Sequence, residues 1–168
     1  MDNRRNVVVI MCDQLRADFL HAYGADFIPT PNIDELAARG VVYDNAITAS
    51  TVCAPARMSF MTGEHVSRHD GWTNLIPVDD RCEFIPDRLN EAGYMTAAVG
   101  CYDHSPFDGT FGYKYWKRHL GNLPGCDFTK YLKEKYPDIT SCYNHDEDMY
   151  YKYPEEDFYD YWSGSCAV

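Results

Sequence analysis

The chain has 168 residues, 45% of them hydrophobic, with 26 acidic against 15 basic side chains and a formal net charge of −11. That length and apolar content suit one globular domain with a buried core and exclude a disordered or collagen-like polymer. The negative balance disfavours phosphate backbones and anionic lipid headgroups, so neither nucleic acid nor a membrane surface is expected as a partner.

In chain order, residues 6–11 (NVVVIM) form a continuous, mostly β-branched run that predicts a strand covered on both faces of a parallel sheet. Its apolar part is far shorter than the ~20 residues of a bilayer span and too short for a secretion signal, so the expected compartment is the cytoplasm. The run ends at Cys12 and the polar Asp13, Gln14 and Arg16, where a loop should leave the carboxyl edge of the sheet. Thr30-Pro31-Asn32 opens a helix with Ile33, Leu36 and Ala37 on one face and Gly40 as its stop. Residues 41–43 begin a second extended segment, leading to the polar stretch 49–55. A helix is predicted over 57–61, ending at Gly63, and another over 84–92, with Pro86 in its first turn. Residues 95–99 (MTAAV), between Gly93 and Gly100, read as a buried strand. Strands alternating with helices imply an α/β layered fold with a parallel sheet. Ligands in such sheets bind beyond the carboxyl ends of the strands, where Asp13 and the residues after Val99 fall.

The last third differs. Residues 136–168 hold seven of the fourteen tyrosines, eight acids and one lysine, and 143–161 has no clean period. The expected organisation is a main domain over 1–120 and an insertion or lid, partly exposed, over 121–168.

Seven cysteines, an odd count without a CxxC pair, argue against a disulfide scaffold and a zinc knuckle. Cys82, Cys126, Cys142 and Cys166 receive no role. Cys53 differs: in Thr51-Val52-Cys53-Ala54-Pro55-Ala56-Arg57 it sits in a polar loop before a helix, with Pro55 fixing the turn. Arg57 follows one helical turn later, so an anion held there would meet both a helix N-terminus and a guanidinium fork. Spacing alone favours the plainer reading, a buried thiol beside a surface arginine.

The block CAPARMSFMTG, preceded in order and spacing by NVVVIMCDQLRAD and TPNIDELAARGVVYDNA, resembles the sulfatase family over about residues 6–115. Thr51 stands where a smaller residue is usual, and DQLRAD is most similar to the bacterial branch that includes phosphonate and phosphate monoester hydrolases. The resemblance implies an alkaline-phosphatase-like α/β sandwich with a mostly parallel central sheet, incomplete in this chain. It implies that a formylglycine-generating enzyme oxidises Cys53 to formylglycine, whose hydrate attacks sulfur or phosphorus in line, with Arg57 holding it. Asp13, Gln14 and the modified Cys53 would be ligands of a divalent cation, usually calcium, with manganese or magnesium as alternatives. The implied reaction is hydrolysis of a small-molecule sulfate ester. The alternatives are hydrolysis of a phosphonate or phosphate monoester on the same scaffold, and a truncated, inactive remnant or binding module.

Two departures favour that last alternative. Residues 93–100 fit the second sulfatase signature, but Cys101 takes the lysine position and Asp103 the histidine position, with His104 one residue late. Each donor lost from an anion site removes roughly 3 kcal/mol of transition-state stabilisation. The family's downstream metal ligands also lack counterparts: Asp103-His104-Ser105 lacks the glycine, and His69-Asp70-Gly71 has the order reversed. About half a cation site is present, so the chain is expected to be a fragment or a truncated gene product. Asp18 reads as a helix cap or surface residue. His69, near Trp72, is expected at the surface or in packing rather than facing a substrate. His21, His65, His119 and His145 stay unassigned.

Overall fold

The computed structural model describes residues 4–76, 81–101, 111–119, 125–140 and 152–168. The chain divides into two compact units, Met1–Thr48 and Ala49–Val168. That cut lies well ahead of the change in composition near residue 121.

In the first unit, two short 3-10 turns, Ala17–Phe19 and His21–Tyr23, precede helix α1, Pro31–Arg39. Pro31 suits the first turn because its fixed φ is already helical and its missing N–H would have had no helical acceptor. Thr30 ties the turn to the helix: its Oγ1 accepts the His21 N–H at 3.2 Å and donates to Asp34 Oδ1 at 3.1 Å. Phe19 and Phe27 pack edge to face with centroids 5.3 Å apart. The strand expected over residues 6–11 is not formed, nor is extended pairing at 41–43; both runs lie outside any ladder. Val8 is 81% exposed and Ile10 78%. β-branched residues fit a pleated surface, but a strand exists only through a neighbour that takes up its backbone groups, and here none does among the described residues.

The second unit carries helices α2 (Cys53–Thr62), α3 (Val66–His69) and α4 (Ile85–Glu91), then strands β1 (Ala97–Gly100) and β2 (Tyr115–Arg118), and finally α5 (Asp127–Lys135) and α6 (Tyr159–Cys166). Helix α2 begins a turn earlier than predicted, so Cys53 is its first residue rather than part of a preceding loop. Pro55 falls within the first turn, where the N–H it lacks would have had no helical acceptor. Gly63, at φ 70°, closes α2 by donating to Ser59 O at 2.9 Å. The two strands are parallel, registered from Ala97↔Tyr115 to Gly100↔Arg118. This α/β arrangement, with a small parallel sheet, is the expected fold class, present in part. Before β1, Thr96 Oγ1 donates to Asn90 Oδ1 (2.8 Å) and Asn90 Nδ2 to Gly112 O (2.6 Å), which joins α4 to the approach to β2.

One core lies beneath α2, where Met58, Met61 and Phe111 are buried against Phe84 and Tyr113. A second joins Cys126, Phe128, Leu132, Ile139 and Trp162. At its edge the fully buried Asp157 accepts from Tyr131 and Tyr136 hydroxyls, both at 2.5 Å, and from Lys135 Nζ at 2.7 and 2.8 Å. The tyrosine- and acid-rich tail therefore builds a core of its own, although residues 141–151, with Cys142 and His145, lie outside the described residues. The six described cysteines are free thiols. Among the described residues no helix is long and apolar enough to cross a membrane.

Candidate active site

Cys53 occupies the first position of α2, where Val52 provides no side-chain cap for the free amides. Asn74, from the loop after α3, fills that gap. Its Oδ1 accepts the Ala54 N–H at 3.1 Å and the Cys53 thiol at 3.4 Å. The nucleophile candidate is thus half-buried, at the electropositive end of a helix, and latched by one amide oxygen. One turn further along, Arg57 is 7% exposed, and its Nη1 donates to the main-chain carbonyl of Cys101, just past β1. Gly100 makes that approach: at φ 95° it occupies backbone that L side chains avoid, and a Cβ there would meet Ser163 Oγ at 3.6 Å. The two arms of the helix are therefore fixed differently, Cys53 to a loop and Arg57 to the carboxyl end of a strand. That strand end is where α/β sheets take their ligands.

The structure brings Cys53, Arg57, Asn74 and the Cys101 carbonyl into one connected assembly. Asn74 was missed by sequence reasoning: it lies 21 residues from Cys53 in an unremarkable polar loop, and only the fold joins them. Asp103 and His104 lie outside the described residues. His69 is fully buried, bonded to Ser59, which bears out a packing role. Asp18 is a surface residue ion-paired with Arg16.

Asp13 and Gln14 lie on a turn of the first unit, both exposed, with Gln14 at φ 51°. Their oxygens are the donor type a hard cation takes. Their number falls short, because no group of three or more His, Cys, Asp or Glu that could hold a metal ion occurs among the described residues. A cavity of about 350 Å³ lined by Thr62, Arg68, Phe84, Arg88 and Leu89 opens at the other end of α2. Nine residues of helix, about 13.5 Å, separate Thr62 from Cys53, so the cavity is distinct from the thiol's surroundings.

A helix that opens on Cys53 and anchors Arg57 at the end of a parallel strand is an α/β arrangement with its candidate chemistry at the strand's carboxyl end. The Sulfatase family model matches residues 5–165, and the chain belongs to this family of hydrolases. It is 32% identical over 133 residues to an N-acetylgalactosamine-6-O-sulfatase of Bacteroides thetaiotaomicron, covering 76% of this chain and 23% of that protein. It is 36% identical over 108 residues to PehA, a multifunctional alkaline phosphatase superfamily protein of Trinickia caryophylli, covering 61% and 21%. The chain thus spans less than a quarter of these relatives' length. Its fold matches the crystal structure of the phosphonate monoester hydrolase of Agrobacterium radiobacter with a TM-score of 0.75 at 22% identity, covering 91% of this chain and 35% of that one. The Silicibacter pomeroyi phosphonate monoester hydrolase gives 0.72 at 22% identity, covering 96% and 37%.

Proposed function

We propose that this chain is the N-terminal portion of a hydrolase of small sulfate esters, with Cys53 as the precursor of a formylglycine nucleophile. The observation that carries the reading is the latched thiol at the N-terminus of α2, one turn before a buried arginine anchored at the end of β1. A formylglycine at this position supplies a hydrated aldehyde, able both to attack a tetrahedral ester and to expel the resulting anion, which neither serine nor unmodified cysteine does. The chain's own residues do the rest. The Arg57 guanidinium offers donors to the ester's non-bridging oxygens. The Cys101 carbonyl keeps the guanidinium from swinging into solvent, and Asn74 fixes the orientation of residue 53. Asp13 and Gln14 are the oxygen donors this chain offers a divalent cation such as calcium, too few to enclose one. The partners in this reading are a formylglycine-generating enzyme and a small ester, and the compartment is the cytoplasm.

The resemblance of DQLRAD to the phosphonate hydrolase branch, and two phosphonate monoester hydrolases among the matching folds, support the same chemistry on phosphonate monoesters. Cys101 and Asp103, standing where a lysine and a histidine are expected, support a non-catalytic remnant instead.

The test has two parts. Co-production with a formylglycine-generating enzyme, followed by mass spectrometry of the peptide 40–57, should show the Cys53 thiol replaced by an aldehyde; an unaltered thiol overturns the precursor assignment. Turnover of an aryl sulfate against an aryl phosphonate by the protein extended to its relatives' length decides the substrate. Activity that rises in the Cys101→Lys, Asp103→His variant supports the correspondence of those positions, and an unchanged rate refutes it.

A further inference from the structure

We propose that His69 is a positioning residue for Cys53: it pins the loop that delivers Asn74 to the thiol. The catalytic consequence rests on Cys53 being the nucleophile precursor, but neither the geometry nor the test depends on that reading.

His69 is the last residue of α3 and is 0% exposed. The Gly71 N–H donates to its Nδ1 at 3.1 Å, which leaves the ring proton on Nε2. Nε2 then donates to Ser59 Oγ of α2 at 2.9 Å. The imidazole is therefore a two-ended bridge, held by the loop's main chain on one side and bonded to α2 on the other. Neither nitrogen has a bond to spare.

From this bridge the chain runs back along α2. His69 meets Ser59, and five residues later Asn74 meets Ala54, five residues earlier on the helix. Five residues of α-helix span about 7.5 Å, well within the reach of five residues of loop. Asp70, the first residue of the return path, sits at φ 57° as the left-handed cap of α3, its N–H donating to Val66 O at 3.0 Å. Apolar packing does little to hold the path in place. Trp72, the loop's large apolar side chain, is 65% exposed and lies mainly in solvent. Main-chain bonds shape the turn itself (Asp70 N–H to Val66 O and Trp72 N–H to Asp70 O, both 3.0 Å), and a pair of polar pins holds it to α2, His69 at one end and Asn74 at the other. If the first is removed, the second loses its register on Ala54 and Cys53.

The experiment uses the 168-residue chain, made without the formylglycine-generating enzyme so that Cys53 remains a thiol. The rate of iodoacetamide alkylation is followed on the peptide 40–57, with the buried Cys126 as the control for global opening. Asn74→Ala should raise the Cys53 rate about five-fold, the worth of one hydrogen bond. His69→Ala should raise it by a similar factor while Cys126 stays protected. The double variant should react no faster than Asn74→Ala alone, because His69 acts through Asn74. Rate increases that multiply in the double variant overturn the proposal, as does a wild-type Cys53 rate in either single variant. If His69→Ala also exposes Cys126, Ser59→Ala replaces it: this change removes only the acceptor of the bridge, and an unchanged Cys53 rate then refutes the link. Failure of this pattern leaves the hydrolase reading standing, whereas the expected pattern in a protein that turns over no ester refutes that reading alone.

Discussion

Asp157→Asn tests whether the tail of the chain is held by a buried charge. The carboxylate is 0% exposed and receives two phenolic hydrogen bonds at 2.5 Å and two from Lys135 at 2.7 and 2.8 Å. The amide has nearly the same shape, but one of its ends becomes a donor facing donors. Hydrogen bonds to a buried charged group are worth about 1.5–3 kcal/mol each. Lys135 is 43% exposed, so water screens its share, and most of the loss comes from the phenols. A cost of about 2–4 kcal/mol for Asp157→Asn follows, a large fraction of the roughly 5–15 kcal/mol that holds a domain together. Urea unfolding at neutral pH, followed by the fluorescence of the buried Trp162, should show a clearly lower midpoint. The acid limb adds a second reading. Burial pushes the Asp157 carboxyl up, but Lys135, Tyr131 and Tyr136 together hold it below its ordinary 3.8. Its contribution is therefore complete above that value, begins to fall near it, and vanishes only once the pH passes below the lower folded value. Asp157→Asn should lack this limb. An unchanged midpoint, or parallel acid profiles for the two proteins, refutes the account.

His119 titrates in a separate window. Burial against Tyr159, stacked at 4.7 Å, and Phe128, edge-on at 5.2 Å, lowers its pKa from 6.5. The unfolded chain therefore takes up a proton first as the pH falls through 6.5, stability declines there, and His119→Gln should flatten that slope in a pH series of thermal melts. Phe128→Ala, at a fully buried position, should cost about 3–5 kcal/mol in urea unfolding. Gly100→Ala should cost about 1–2 kcal/mol from its left-handed backbone alone. On the hydrolase reading proposed above, it should also lower ester turnover in the protein extended to its relatives' length, by turning the Cys101 carbonyl away from Arg57; a melting temperature equal to wild type contradicts the backbone assignment.

Where the sequence marks its own boundaries, the fold was legible. Helices α1 and α4 each carry a proline in the first turn with a glycine within two residues of their end, and both fall within a residue or two of expectation. These signals act through single-residue backbone preferences and need no partner. Strand β2 (YWKR) was not foreseen, because its identity comes from pairing with β1 rather than from any alternation of its own. Helix α5 was also missed: its cap is Cys126, whose sulfur accepts the Thr129 N–H at 3.4 Å, in place of the usual hydroxyl or carboxylate. The opposite error occurred at residues 6–11, whose β-branched run looks like a strand until the question of a partner is put.

The site divides along the same line. Cys53 and Arg57 are four residues apart, so their relation is contained in the helical period and could be read directly. The contacts that orient them are 44 residues away at Cys101 and 21 away at Asn74. The first of these is a main-chain carbonyl, which no pattern of side chains announces. This bears on Cys101, which the resemblance puts at a lysine position. On sequence alone, cysteine there removes a positive charge and nothing else is visible. In the structure the same residue keeps a second task that its side chain does not perform, because the backbone of Cys101 still anchors Arg57. Substitution at this position therefore separates charge from geometry: a lysine added here changes what the site attracts, whereas a change at Gly100 alters where the arginine is held.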